Sequence, residues 1–172
     1  MQKIRLFILL FFCFANSQAQ NLDVFSISRK GTLDQIQEVY MKNPQSINSI
    51  SENKSSPLIL ACYRNNEAVA LFLADKVEDI NYNSGMGSAL MAAVMSGNLS
   101  IIDKLISLKA DLNLKDVQGK TALIYAVFFN KNDIVKSLLK AGADKKITDN
   151  EGRAALDYAN FNKNTELIIL LN

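Results

Sequence analysis

The chain has 172 residues, with 19 basic side chains, 17 acidic side chains and no histidine. The absence of histidine excludes the Ser-His and Cys-His nucleophile pairs of common hydrolases and the imidazole ligands of common zinc sites. Duplex-binding proteins present a basic face to the phosphates, whereas no basic cluster here is denser than Lys145-Lys146. We therefore expect a non-catalytic protein with no cofactor and no nucleic-acid partner.

The first 19 residues are typical of a secretory signal peptide. Lys3 and Arg5 precede an apolar run over residues 6–15, and small residues lead to Ala19, where a signal peptidase would cut. The apolar run is shorter than the ~20 residues of a membrane span. Cleavage takes two of the 19 basic residues and leaves 17, equal to the 17 acidic residues. We expect a mature chain, residues 20–172, that has no membrane span and is periplasmic or secreted.

Residues 21–50 predict a short pair of helices. Asp23 to Gly31 is interpreted as a first helix that ends at glycine, and Leu33 to Tyr40 as a second helix with one apolar face. Asn43-Pro44 ends the second helix, because proline disfavours a helical residue before it. We interpret this pair as an atypical N-terminal capping unit.

From residue 51 onward the sequence repeats with a period near 33 residues. One set of leucines and one set of alanines recur at steps of 32, 33 and 33, and a second set of leucines runs in phase with both. These positions are Leu58, Leu90, Leu123 and Leu156; Ala61, Ala93, Ala126 and Ala159; and Leu73, Leu105, Leu138 and Leu171. A fixed period of this length means that each unit buries its apolar face on its neighbours. The sequence therefore predicts one open solenoid domain, with further units at about 51–83, 84–115, 116–148 and 149–172.

A single unit indicates which solenoid this is. Asp116 to Val127 is followed by the apolar pairs Ile134-Val135 and Leu138-Leu139 and then by Gly142-Ala143-Asp144. This pattern resembles the ankyrin repeat, and Ser56-Pro57-Leu58-Ile59 stands where that family carries a Thr-Pro-Leu-His segment. The resemblance implies an all-α solenoid of about five helix-turn-helix units with short hairpin fingers, the loops that precede the first helix of each unit.

The start of each first helix carries a second regularity. Ser56 is expected to cap its helix with the hydroxyl, and the proline after it suits the first helical position. Ser88 and Thr121 repeat the cap, whereas Ala154 cannot, so we expect the first helix of the last unit to fray more readily. The usual histidine of the family is replaced by Ile59, Met91, Ile124 and Asp157. We therefore expect a weaker polar network between fingers and a lower stability.

Two cysteines are present, and only one lies outside the predicted signal. Cys13 follows two phenylalanines, whereas lipoprotein processing requires small residues there, so a lipid anchor is disfavoured. Cys62 then has no intrachain partner. It takes the repeat position of Val94 and Val127, which predicts a small buried apolar side chain. An intermolecular disulfide or a redox role is the alternative.

Two short motifs resemble ligand sites but lack the rest of the pattern. Gly85-Met86-Gly87 has neither a preceding buried strand nor a nearby lysine, so it predicts a shortened, flexible hairpin rather than a phosphate cradle. The run from Asp111 to Asp116 faintly resembles a calcium loop without its turn glycine and closing glutamate. Acids recur at the first of these positions in Asp79 and Asp144, as the repeat predicts. We therefore expect no metal site.

The resemblance implies that partners bind on the concave side, at the finger tips and at the end of each first helix. The candidate residues are Tyr63, Arg64, Met95, Ser96, Phe128, Phe129, Phe161 and Asn162. Tyr63, Met95, Phe128 and Phe161 are expected to stack as one apolar stripe, and exposed apolar ladders mark interaction sites. Packing on the neighbouring unit is the alternative. Phe128 and Phe129 cannot easily both be core, since adjacent helical residues point about 100° apart.

The end of the sequence offers a second candidate surface. Ile169 and Leu170 are apolar where the third and fourth units carry polar residues, and terminal units normally turn a polar face outward. This indicates a docking face with weak self-association, unless the two side chains fold back on the preceding helix.

Together these features predict an exported, non-catalytic protein that binds a protein partner. The abundance of Asn, Lys and Ile is typical of an AT-rich bacterial coding background. An inhibitor or immunity-type binder of a secreted toxin or enzyme is the first alternative. A small-ligand or metal-dependent catalyst is the second, and it would need convergent polar groups that the sequence does not show.

Overall fold

The computed structural model describes residues 23–172, which form ten α-helices and one 3-10 helix. The helices are α1 Val24–Lys30, α2 Leu33–Lys42, the 3-10 helix Pro44–Asn48, α3 Pro57–Tyr63, α4 Glu67–Ala74, α5 Ala89–Ser96, α6 Leu99–Ser107, α7 Ala122–Phe128, α8 Asn132–Lys140, α9 Ala155–Phe161 and α10 Thr165–Leu171. The signal peptide predicted at residues 1–19 lies outside the described residues. Within the described part, β-structure is limited to an isolated bridge between Asn83 and Ser88 in one finger.

The ten helices are arranged as two parallel rows. The first helices of the units, α1, α3, α5, α7 and α9, pack on one another in chain order, and the second helices α2, α4, α6, α8 and α10 form a row behind them. Each first helix also packs against the second helix of its own unit. This is the all-α solenoid that the repeat predicts. In the described chain no helix is long and apolar enough to cross a lipid bilayer.

The repeating leucines and alanines form the core. All four alanines are fully buried, which lets the first helices approach closely, and the second leucine set is buried in every unit. In the first set, only Leu156 remains half-buried, because no following helix pair covers it in the described chain. Cys62 is fully buried among these residues, as expected, and burial raises the pKa of its thiol. The thiol therefore packs as a small apolar group.

The predicted caps hold the first helices. Ser56 Oγ accepts a hydrogen bond from the N–H of Ile59 at 3.2 Å, and Ser88 and Thr121 accept equivalent bonds at 3.5 and 3.3 Å. No side-chain acceptor stands at Ala154, although the carboxylate of Asp157 accepts a bond from the N–H of Ala154 at 2.8 Å. The first helix of the last unit therefore has half of the capping arrangement.

Asparagine side chains connect successive fingers. Asn48 Oδ1 accepts a hydrogen bond from the N–H of Glu78 at 3.0 Å, Asn81 Oδ1 from that of Asp111 at 2.8 Å, and Asn113 Oδ1 from that of Asp144 at 2.9 Å. We call these three bonds the asparagine ladder. The sequence predicts a weaker polar network between fingers because the usual histidines of the family are absent. The asparagine ladder connects the fingers from different positions in the unit.

Candidate protein-binding surface

The concave surface is formed by the fingers and by the inner row of helices, which comprises α1, α3, α5, α7 and α9. The second helices form the outer row. Of the eight residues predicted to bind a partner, six are exposed and two are half-buried. The exposed residues are Tyr63, Arg64, Met95, Phe128, Phe129 and Phe161. Phe128 and Phe129 are 42% and 41% exposed, so neither side chain is buried in the core. The surface thus presents large apolar side chains to solvent at the end of α3, α5, α7 and α9.

Four rings from the last two units form one aromatic cluster, which comprises Tyr125, Phe128, Phe129 and Tyr158. Phe128 packs edge to face on Phe129, with ring centroids 5.0 Å apart, and on Tyr158 at 5.7 Å. Tyr125 stacks on Phe129 at 6.2 Å. Phe161 was expected to continue the stack, but it is 82% exposed and lies outside the cluster. The neighbour of Phe128 is Tyr158, because the ring one turn earlier on α9 points toward α7.

Two buried carboxylates fix the tyrosines of this cluster. Tyr125 donates its hydroxyl to Asp116 Oδ2 at 2.5 Å, and Tyr158 donates to Asp149 Oδ2 in the same way one unit later. The other oxygen of Asp116 accepts two backbone N–H groups of its finger, which include that of Lys120. Each aspartate therefore ties the finger to the inner helix and sets the orientation of one ring.

The aspartate and tyrosine pair of the last unit is held in one ionisation state. Burial alone would raise the pKa of Asp149, but the hydrogen bond from Tyr158, those from the backbone N–H groups of Arg153 and Glu151, and the Arg153 guanidinium together lower it to about 2. Burial and the neighbouring carboxylate raise the pKa of Tyr158 to about 12. Neither group changes protonation near neutral pH, so the pair is suited to positioning a ring and not to proton transfer.

A lysine lies over the aromatic cluster. The Nζ atom of Lys120 is 5.4 Å from the ring centroid of Phe128 and 5.8 Å from those of Tyr125 and Tyr158. These are cation–π distances. Lys120 forms no ion pair with any residue of 23–172, since the ion pairs of the described chain involve other cations. The cluster therefore combines apolar rings with one unpaired positive charge.

The N-terminal part of the concave surface contains a cleft of about 340 Å³ between α3 and α5. Its apolar walls come from Ile59, Leu60, Tyr63, Met86 and Met95, with Ala92 at the floor. Arg29 and Arg64 also line it, and no acidic residue of the described chain does. We call this space the arginine cleft.

The arginine cleft exists because the third unit carries small residues. Gly87 stands where the next two units have Lys120 and Arg153, and Ala92 stands where they have the two tyrosines of the aromatic cluster. Gly87 has a φ of +126° and its added Cβ would lie 2.9 Å from Met91 Sδ, so a larger residue would be strained there. The sequence predictions missed the cleft, although aligning the units would have shown the two missing side chains.

A family comparison agrees with the geometry. A family model described as "Ankyrin repeats (3 copies)" matches residues 25–116 and 90–172. The chain belongs to the ankyrin-repeat family. Ankyrin repeats generally mediate protein–protein interactions, and proteins built from them are typically non-catalytic binding modules.

Two curated ankyrin-repeat proteins are similar to part of this chain. They are the ankyrin repeat and SAM domain-containing proteins 6 of Rattus norvegicus, with 28% identity over 102 residues, and of Mus musculus, with 26% identity over 102 residues. Each match covers 58% of this chain and only 12% of the relative. The chain thus shares repeats with these proteins and spans a small fraction of their length.

Two predicted contact residues have roles inside the ankyrin stack. The Asn162 amide donates to the carbonyl oxygens of Val127 and Phe128 at 3.0 and 3.1 Å, and it thereby caps the end of α7. Ser96 Oγ donates to the carbonyl of Ala93 at 3.0 Å within its own helix. Substitution of Asn162 would therefore disturb the stack itself.

The last ankyrin unit leaves two apolar side chains in solvent. Ile169 is 77% exposed and Leu170 is 37% exposed, whereas Leu167 and Leu171 on the same helix are buried. The alternative in which the first two fold back on the preceding helix is therefore excluded for Ile169. Within residues 23–172, no other element covers this surface.

The repeated acids of the fingers have a structural use. Asp111 Oδ1 accepts the N–H of Asn113, and Asp79 and Asp144 accept the equivalent N–H groups in their own units. Within residues 23–172, no group of three or more His, Cys, Asp or Glu side chains is placed to hold a metal ion. The acids shape turns in the ankyrin fingers.

Proposed function

We propose that this ankyrin-repeat protein is exported and acts outside the cytoplasm as a non-catalytic module that binds one partner protein on its concave face and finger tips. The observation that carries the proposal is the aromatic cluster. Its two phenylalanines remain more than a third exposed while their neighbours Tyr125 and Tyr158 are held by buried carboxylates. Rigid, exposed rings of this kind dominate the energetics of protein interfaces.

Affinity capture from the periplasmic and secreted fractions of the native host tests this proposal. The parent chain is compared with Phe128→Asp/Phe129→Asp and with a matched control, Leu33→Asp/Met41→Asp. The control residues are also exposed and apolar, but they lie on α2, in the outer row. We expect a protein identified by mass spectrometry to be retained by the parent and the control and lost from the concave variant. Circular dichroism first establishes that all three are folded.

Equal capture by the parent and the concave variant would refute the role of the aromatic cluster. The identity of the captured protein separates the two biological roles. A captured toxin or enzyme whose activity falls on binding would indicate that the protein is an inhibitor or immunity-type binder. Any other captured partner would indicate a scaffold.

The proposed location rests on the signal-like sequence of residues 1–19. We expect the protein in the periplasmic or culture fraction of a bacterial host, with a mature N-terminus at Gln20. Cell fractionation followed by N-terminal sequencing measures both. An uncleaved chain in the cytoplasmic fraction would contradict the proposal of export while leaving the binding proposal intact.

The exposed apolar end of α10 supports a weak self-association. We expect the parent to elute from gel filtration earlier with increasing concentration and Ile169→Lys/Leu170→Glu to elute as a monomer throughout. Identical monomeric elution of both proteins would refute it.

A further inference from the structure

The arginine cleft has the size of a side-chain pocket. Its volume of about 340 Å³ lies near the lower end of the roughly 300–1,000 Å³ of small-molecule sites. Its walls are the aliphatic and aromatic side chains of α3 and α5 together with Met86 of the finger. A space of this kind suits one or two large apolar side chains.

The two cations that line the cleft form no salt bridge in the described chain. Neither Arg29 nor Arg64 forms an ion pair with a residue of 23–172. Asp23 interacts electrostatically with Arg29, but its oxygens accept the N–H groups of Phe25 and Ser26 at the start of α1. The Arg64 guanidinium lies 5.8 Å from the ring centroid of Tyr63, which leaves its N–H groups available. Arginine pairs with carboxylates through two parallel hydrogen bonds.

The unpaired cations continue along the concave face. Lys120 lies over the aromatic cluster, two inner helices beyond Arg64. Packed helices are about 8–10 Å apart, so a ligand that reaches both cations spans about 16–20 Å. Extended polypeptide advances about 3.3 Å per residue, and five or six residues cover that distance. A single small anion cannot.

We propose that the arginine cleft binds an extended segment of the partner protein that places a large apolar side chain between α3 and α5 and an aspartate or glutamate on Arg29 and Arg64. A second acid about five or six residues away then reaches Lys120. This inference rests on the proposed function, because it specifies the chemistry of the partner at the same concave face.

The test uses an unbiased probe, a phage-displayed library of random 12-residue peptides selected on the full chain. We expect the enriched peptides to carry a large apolar residue with Asp or Glu within a few positions. The best peptide, synthesised with a fluorescent label, is then titrated by fluorescence polarisation. We expect at least a tenfold weaker affinity for Arg29→Gln/Arg64→Gln, and an affinity for the parent that falls with added salt.

Two further variants make the test specific. Ala92→Tyr places in the cleft the side chain that the fourth and fifth units carry at this position. With the variant shown to be folded by circular dichroism, we expect at least a tenfold loss of peptide affinity. Lys109→Gln/Lys140→Gln removes two exposed cations away from the cleft, one in the turn after α6 and one at the end of α8, and is expected to change affinity less than twofold.

Enriched peptides without acids, no enrichment at all, or equal affinity for the parent and the folded arginine variant would overturn the inference. Dodecanoate is also tested as a competitor of the labelled peptide. Displacement of the peptide at a dodecanoate concentration below the Kd of the peptide would overturn the inference in favour of a fatty-acid site. If host-protein capture still depends on Phe128 and Phe129 in any of these cases, the proposed function stands without this inference.

Discussion

Replacing Ala154 with threonine should stabilise the last unit by about 1 kcal/mol. Ala154 occupies the N-cap of α9 with φ −86° and ψ 174°, close to the −90° and 174° of Ser88, which does cap its helix. A hydroxyl at this position can accept the N–H of Asp157, which here donates only to the carbonyl of Ala154 at 3.1 Å, without backbone strain. Asp157 already accepts the N–H of Ala154 at 2.8 Å, so the new acceptor completes a reciprocal capping box. For a chain of this size, 1 kcal/mol raises Tm by about 2–4 °C.

Valine at the same position is the matched control. Val has the branched shape of Thr but no hydroxyl, so the difference in unfolding free energy between Ala154→Thr and Ala154→Val isolates the cap. Urea unfolding followed by circular dichroism gives that difference, and amide hydrogen exchange at Asp157 reports on α9 alone. A threonine variant no more stable than the valine variant, with unchanged exchange at Asp157, would refute the capping argument.

Three further predictions concern the fingers and the core. Asp149→Asn should cost about 2 kcal/mol at pH 7, since hydrogen bonds to a charged acceptor are worth about 1.5–3 kcal/mol. Folding lowers the pKa of Asp149 to about 2. The carboxylate therefore stabilises the folded protein above its unfolded pKa, near 3.8, and this stabilisation is lost as the pH falls toward 2. Urea unfolding of parent and variant should therefore converge between pH 5 and pH 2, and a constant difference would contradict this. Gly119→Ala should destabilise more than Gly152→Ala in the same assay. Both glycines have positive φ, but a Cβ at Gly119 would lie 2.7 Å from the backbone N of Asn150, whereas a Cβ at Gly152 would meet nothing within 4 Å. Equal losses of stability in the two variants would refute the predicted clash. The thiol of Cys62 should resist iodoacetamide in the folded protein and react in 6 M guanidinium, as measured by peptide mass mapping, because it is fully buried.

The periodic features of the fold were predictable from the sequence because each depends on residues close together in the chain. The caps at Ser56, Ser88 and Thr121 join positions three residues apart, and the structure confirms all three. Burial of the repeated alanines follows from one apolar face recurring in every unit. Such local regularities need no knowledge of how neighbouring units face each other.

The candidate site was less predictable because it depends on contacts between units. The position of the Tyr158 ring beside Phe128 is set by the orientation of α9 against α7, which the repeat period does not contain. The arginine cleft arises from volume that is missing at Gly87 and Ala92. Aligning the units shows these two small residues, but the position of Arg29 and Arg64 beside the open space depends on how the units pack. The asparagine ladder joins residues about 30 positions apart, beyond any local pattern.

The asparagine ladder also gives the stack a direction. The second and third units each offer a side-chain acceptor to the unit that follows and a backbone donor to the unit that precedes. In the second unit, Asn81 accepts from Asp111 and Glu78 donates to Asn48. The two sides of a unit are therefore different, and each matches only the opposite side of its neighbour. A duplicated unit would find both of its contacts already complementary, so gene duplication can lengthen the array without inventing a new interface. An inverted unit would place acceptor against acceptor and break the array at that point.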